Sequence, residues 1–237
     1  MILKPRIVAV LGKEAARDAL SLADADMVEV RLDLVEGDCL ESIKAVRKAT
    51  NLPIIATNRL KSEGGQFEGS EEDRIELLAR AADYADYVDI ELSAGQRTEL
   101  MGRVNRPAIV SYHNFTCTPG REELRAILEE MKGSRAAIAK IAVTSTCMRD
   151  NLEILGLLLE AKMPLCVIAM GQVGRHLRAV APLYGSVLTY GYVSLAAAPG
   201  QMSIAELRLA QRLLDPASAT LWADSAKKMS VSTTLNL

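Results

Sequence analysis

The stretch AIAKIAVTSTCMRDNLEILGLLLEA, residues 137–161, decides the fold. Ala137–Val143 is an apolar run of strand length. It passes through a short polar segment into Met148–Ala161, whose apolar residues recur at helical spacing. This strand-then-helix unit recurs along the chain. Further strands are expected at Ile7–Leu11, Met27–Leu34, Ile54–Thr57, Tyr87–Leu92, Ala108–Tyr112, Leu165–Met170 and Val187–Tyr190. Helices are expected at Glu14–Ala23, Leu40–Ala49, Glu71–Ala85, Gly95–Val104, Arg121–Met131, Arg175–Leu183 and Ile204–Leu214. Regular alternation implies a parallel sheet covered by helices. Eight such units favour a closed (β/α)₈ barrel, a single α/β domain over residues 1–214. Periodicity alone leaves an open doubly wound sheet in play. No GxGxxG follows the first strand, which weakens the dinucleotide-binding version of that alternative. The tail from 215 to 237 loses periodicity and reads as a C-terminal extension or an oligomer contact.

Composition fits a compact barrel. The 237 residues are 49% hydrophobic, and only 4% are aromatic, so Ala, Val, Ile and Leu must fill the core. The net charge is −2, and the basic residues are interleaved with acids instead of forming a Lys/Arg block. Nucleic-acid binding therefore has little support. The longest apolar region, Leu152–Met170, is broken by Glu160, Lys162 and Pro164, so no membrane span is expected. The first apolar run is too short for a secretory signal. Four cysteines, none in CxxC spacing, read as reduced thiols in a cytoplasmic protein. With only His113 and His176 available, no metal site is expected.

Helix starts carry local signals. Ser70 with Asp73 and Ser203 with Glu206 resemble capping boxes, and Thr118-Pro119 offers a cap followed by a proline suited to a first turn.

Catalytic groups of a barrel enzyme sit at the carboxyl ends of its strands. Glu29, Arg31 and Asp33 alternate along the second strand and share one face. Both faces of a parallel sheet are normally covered, so inward charges need partners and suggest a polar site. Arg59 and the Glu63-Gly64-Gly65 loop follow strand three, and Asp89 and Glu91 share a face of strand four. His113 lies just past strand five, where an imidazole is suited to proton transfer. Lys140 stands at the centre of the apolar sixth strand. Burial disfavours an ammonium, and a neutral amine attacks ketones and aldehydes. Alternatively, Lys140 simply pairs with an inward carboxylate or reaches solvent. Gly171, Gly174 and Arg175 are too weak a pattern for a phosphate loop, and the loop at 198–201 could form a lid.

Taken in order, VEVRLD at 28–33, Arg59 with EGG at 63–65, DIEL at 89–92, SYHNF at 111–115, KIAV at 140–143, GS at 185–186 and APGQ at 198–201 resemble the type I 3-dehydroquinate dehydratase family. The resemblance runs from Ile7 to about Leu214. It implies a cofactor-free, commonly dimeric barrel that converts 3-dehydroquinate to 3-dehydroshikimate in the shikimate pathway of aromatic amino-acid biosynthesis. By position it implies that Lys140 forms a Schiff base, that His113 is the general acid/base and that Glu63 orients His113. Arg178 would hold the substrate carboxylate. Glu29, Arg31, Arg59 and Gln201 would contact substrate, and Met170 and Tyr190 would form apolar walls. The chain departs from the family pattern at Asn114, where many members have Asp, at Leu177, where Ser is common, and at Ala197, often a Ser. Loss of that last hydroxyl is worth about 0.5–1.5 kcal/mol of binding. The competing readings are another Schiff-base barrel such as an aldolase, and a non-catalytic barrel that binds a small carboxylate.

Overall fold

The computed structural model describes residues 5–196 and 200–214. Eight parallel strands run β1 (Arg6–Leu11), β2 (Met27–Arg31), β3 (Ile54–Thr57), β4 (Tyr87–Glu91), β5 (Ala108–Asn114), β6 (Ile138–Thr144), β7 (Leu165–Met170) and β8 (Leu188–Tyr192). A two-residue strand, β9 (Met202–Ser203), follows. The sheet order is β7-β6-β5-β4-β3-β2-β1-β8-β9. Every neighbour but β9 is thus a sequential strand or the β1–β8 pair that curls the sheet round. The seam between β7 and β8 is closed at its lower end by Val187 N–H donating to Leu165 O at 3.0 Å. There the Ser186 hydroxyl accepts from Val167 N–H (3.1 Å) and donates to Leu188 O (2.9 Å). The closed barrel prevails over the open sheet.

Helices α1 (Ala15–Asp18), α2 (Cys39–Ala49), α3 (Glu71–Ala81), α4 (Arg97–Arg103), α5 (Arg121–Gly133), α6 (Met148–Glu160), α7 (Gly171–Gly174), α8 (Leu177–Val180) and α9 (Ile204–Leu214) surround the strands. The α2 N-terminus is capped by Asp38, whose carboxylate accepts from Leu40 and Glu41 N–H. Ser70 and Asp73 form the expected capping box on α3, and Ser203 and Glu206 bond reciprocally ahead of α9.

Two apolar layers result from strand alternation. Val28, Val30, Ile54, Ala56, Val88, Ile90, Val110, Ala139, Ile141 and Val143 face outward and pack under the helices. Val8, Met27, Ile55, Ile109, Cys166 and Leu188 point inward and fill the barrel. Each fully buried Val, Ile or Leu contributes about 1.5–3 kcal/mol. The inward positions nearer the carboxyl ends are polar: Glu29, Thr57, Asp89, Glu91, Ser111 and Lys140 are all buried. The barrel is therefore apolar at its floor and charged at its top.

Several expected boundaries shift. Strand two stops at Arg31, and Leu32–Leu34 form a 3-10 turn that swings Asp33 back toward Arg31. The helix expected at Glu14–Ala23 shrinks to α1, and that at Arg175–Leu183 to α8 with a 3-10 turn at Ala181–Tyr184. Pro182 explains the second case: its ring lacks the N–H that a continuing α-helix needs. Helix α5 begins at Arg121 behind an N-cap Gly120, so Thr118-Pro119 is not its cap; Thr118 instead donates to Thr144 O. The tail 215–237, Ala197 and the first part of the 198–201 loop lie outside the described residues.

Candidate active site

The structure gathers around one cavity, of about 280 Å³ at the carboxyl ends of the strands, the ten side chains to which the family resemblance gives site roles. They are Glu29 and Arg31 from β2, Arg59 and Glu63 from the loop after β3, His113 from β5, Lys140 from β6, Met170 from β7, Arg178 from α8, Tyr190 from β8 and Gln201 ahead of β9. Asp33, Asp89 and Glu91, also singled out from the sequence, do not line the cavity.

Lys140 sits at the base of the cavity with 4% of its side chain exposed. Its Nζ donates to Asp89 Oδ2 at 2.9 Å and lies 3.5 Å from Glu29 Oε1. The Tyr190 ring covers it, with Nζ 4.2 Å from the ring centroid. The carboxylates are held in turn. Thr57 donates to Glu29 at 2.9 Å, and Ser111 donates to Asp89 at 2.7 Å. Arg59 bridges Asp89 (3.0 Å) and Glu91 (2.8 Å), and Arg74 takes the other Glu91 oxygen at 3.0 Å. Three buried cations thus interleave with three buried carboxylates. Burial opposes the Asp89 charge, but Arg59 and Lys140 outweigh it and hold the carboxyl well below its usual range. Burial likewise opposes charge on Arg59, and Asp89, Glu91 and Glu29 more than offset it. Buried ion pairs seldom repay their desolvation against apolar packing of equal volume, and removing one partner costs about 3–5 kcal/mol. The network therefore adds little net stability over an apolar core.

On the neighbouring strand β5, His113 Nδ1 lies 2.9 Å from Glu63 Oε2, and the same oxygen accepts the His113 backbone N–H at 3.0 Å. This bond occupies Nδ1 and leaves Nε2 as the ring nitrogen available to a bound molecule. Burial, reinforced by the Arg59 and Lys140 cations, holds His113 well below the usual imidazole range. Burial pushes Glu63 up, opposed in part by a hydrogen bond from Ser93. Phe115 stacks beside His113, with centroids 6.4 Å apart and planes 17° from parallel.

The loop that carries Glu63 is shaped by glycine. Gly64 has φ of 80° after the 3-10 turn Lys61–Glu63, and a Cβ there would meet the Phe115 ring. At Gly65 a Cβ would lie 1.9 Å from the Arg59 carbonyl oxygen. Gly65→Ala is therefore expected to cost about 1–3 kcal/mol by overpacking against backbone. Calorimetry should show a midpoint lower by roughly 2–10 °C.

At the rim, Arg31 grips Asp33 through two bonds of 2.8 Å, and Asp33 also accepts from the Arg59 and Gln66 backbones. Arg178 is buried with no carboxylate partner among the described residues; Nη1 reaches only the Tyr190 carbonyl at 3.4 Å, and Nε has none. Burial lowers its pKa to about 10. A guanidinium so placed has hydrogen-bond donors to offer an anion. Among the described residues no three His, Cys, Asp or Glu side chains converge as metal ligands do.

The profile of the family described as type I 3-dehydroquinase matches residues 8–217. The chain belongs to that family. The 3-dehydroquinate dehydratase of Methanothrix thermoacetophila is 50% identical over 212 residues, covering 89% of this chain and 92% of that protein. The one from Methanocella arvoryzae is 42% identical over 214 residues, covering 89% and 97%. The crystal structure of 3-dehydroquinate dehydratase from Geobacillus kaustophilus superposes with a TM-score of 0.82 at 28% identity, covering 89% of this chain and 91% of that one. These neighbours are (β/α)₈ barrels, in line with the closure described above.

From the sequence Asp89 has no role beyond that of an inward-facing acid, yet it is the carboxylate nearest to Lys140. Its alternation with Glu91 was a usable signal. Ser111, Thr57 and Ser93 carried none, because a lone hydroxyl at a strand end is common. Of the family departures, Leu177 is buried under α8, and Asn114 Oδ1 accepts from Thr116 and Cys117 N–H, closing the turn after β5.

Proposed function

We propose that this chain removes water from 3-dehydroquinate to give 3-dehydroshikimate, within the shikimate pathway, through a Schiff base on Lys140. The observation that carries the reading is a buried primary amine facing the same cavity as a His–Glu pair and a buried guanidinium with no carboxylate partner among the described residues. No metal or nucleotide is required by this chemistry.

In this reading the carboxylate on C1 pairs with Arg178, which fixes the ring over Lys140. Lys140 gives up a proton, Asp89 and Glu29 being the nearest carboxylates, and its amine attacks the C3 ketone. The carbonyl oxygen leaves as water and an iminium remains. The cationic nitrogen draws electrons from C2 and acidifies its proton. Nε2 of neutral His113 removes that proton, and the imidazolium then protonates the departing C1 hydroxyl. Glu63 holds the ring and balances its transient charge. Glu29, Arg31, Arg59 and Gln201 provide polar contacts, and Met170 and Tyr190 the walls. Hydrolysis of the product iminium releases Lys140. Borohydride added to the protein with 3-dehydroquinate should reduce the iminium, and peptide mapping should place the added mass on Lys140. Product formation without an adduct would overturn the imine, and neither product nor adduct would overturn the dehydratase reading.

We propose further that residues 1–214 form the catalytic domain and 215–237 an extension, and that the protein works in the cytoplasm. Among the described residues no helix is long and apolar enough to cross a membrane. A homodimer is supported by an exposed apolar stripe on α6. Met148, Leu152 and Leu159 follow helical spacing there, with Leu152 68% and Leu159 78% exposed, and the adjoining Ala181–Tyr184 turn adds Leu183 and Tyr184. An exposed apolar patch of this kind suits a two-fold interface. Sedimentation should show a dimer for the parent and a monomer for Leu152→Glu/Leu159→Glu. A monomeric parent would remove the dimer.

A further inference from the structure

We propose that Ser93 is a positioning residue for the His113–Glu63 pair, the outer member of a hydrogen-bonded relay Ser93–Glu63–His113. The proposal rests on the dehydratase reading above. Glu63 uses its two oxygens differently: Oε2 takes both His113 Nδ1 and the His113 backbone, whereas Oε1 takes the Ser93 hydroxyl at 2.6 Å. Without Ser93 the carboxylate is held at one oxygen only and can turn about its terminal torsion.

The backbone around Ser93 is built to present that hydroxyl. Ser93 stands two residues past the end of β4, in a turn flanked by buried Leu92 and Ala94. Leu92 N–H donates to Ser111 O at 2.7 Å, Ala94 N–H donates to Glu91 O at 3.1 Å, and the Arg97 guanidinium donates to Leu92 O. Ser93 itself is exposed and does not line the cavity, so it does not touch a bound substrate. It acts through Glu63 alone.

The consequence is a pH effect with a definite sign. Arg59 and Glu91 face Glu63 from the β3 loop and β4, and Arg31, Arg59, Asp89 and Lys140 face His113 from β2, the β3 loop, β4 and β6. These charges are untouched by a change at Ser93. A hydroxyl donating to a carboxylate favours its ionised form, so its loss lets the His–Glu pair take up a proton at higher pH. The pair must be free of that proton to abstract one from substrate.

The test is the pH profile of kcat/KM for the full-length parent, Ser93→Ala and Ser93→Thr with 3-dehydroquinate. Ser93→Ala is expected to lose about three- to tenfold in kcat at neutral pH, the loss of one charge-assisted hydrogen bond, with KM nearly unchanged. Its acid limb should move to higher pH, and Ser93→Thr should restore both rate and limb. An acid limb that stays put in Ser93→Ala would overturn the relay, because water would then be replacing the hydroxyl. A loss in Ser93→Ala that Ser93→Thr does not recover would also overturn it. A parent that yields no product would instead strike at the dehydratase reading.

Discussion

Lys140→Arg is expected to lose covalent trapping entirely and at least about 10⁴-fold in kcat, while melting close to the parent. The argument separates the two things Lys140 does. As a cation it neutralises Asp89 at 2.9 Å and faces Glu29 at 3.5 Å inside the barrel. As an amine it is the nucleophile of the proposed reaction. An arginine keeps the first role and cannot take the second, since its guanidinium stays protonated at any pH the protein tolerates. Lys140→Met tests the other half. It keeps the stem and loses the charge, leaving Glu29 without its lysine partner and Asp89 with Arg59 alone, at a cost of about 3–5 kcal/mol. A barrel that melts lower with Met but not with Arg, with turnover lost in both, assigns the catalytic loss to the missing amine. Intact mass after borohydride reduction and steady-state rates for both variants are the measurements. Retained turnover in either variant would require a route without an imine.

The barrel was legible because parallel strands buried on both faces leave continuous apolar runs, and helices between them leave a 3.6-residue period. The runs at Ile54–Thr57 and Leu165–Met170 carry their boundaries on their surface. Where the reading slipped, the cause lay in interactions that periodicity does not encode. Leu32–Leu34 continue the alternation of β2, but Asp33 is drawn out of strand geometry by Arg31 and by the Arg59 and Gln66 backbones. The helix at Arg175–Leu183 has suitable composition and is cut by Pro182. Closure depends on β1 pairing with β8, Arg6 against Leu188, strands from opposite ends of the barrel sequence that meet only because the sheet curls into a circle. The site was legible at Lys140 because a charge in an apolar run demands a reason, and at Glu29 for the same cause. It was dim at Arg178, which from spacing is one of several helical arginines. Only the fold reveals that Arg178 is buried with no carboxylate partner among the described residues, whereas Arg175 bonds Glu206 in solvent. Ser93 lay beyond reach, since its role exists only through a carboxylate thirty residues away.

His113→Ala is expected to slow turnover by about 10²–10⁴-fold, the usual worth of a positioned general acid–base group, while borohydride still attaches the substrate to Lys140. Imine formation and proton abstraction are served by different side chains of the cavity. Lys140 and its carboxylates lie on β2, β4 and β6, whereas His113 stands on β5 and is held by Glu63 from the loop after β3. Removing the imidazole should therefore leave an iminium that forms and cannot proceed, and adduct should accumulate. The pH profile adds a signed check. Burial and the Arg59 and Lys140 cations hold His113 well below the ordinary imidazole range, so the ring stays neutral at pH values where a free imidazole would carry a proton. The base is present above that depressed value and lost as pH falls through it. The acid limb of the parent kcat/KM should consequently lie below about pH 6.5, the ordinary imidazole value, and should be absent from the residual activity of His113→Ala. A variant that turns over normally would take the base role away from His113. A variant that neither turns over nor traps would mean that the imidazole is also needed to form the iminium, shuttling the proton that Lys140 must lose before it attacks.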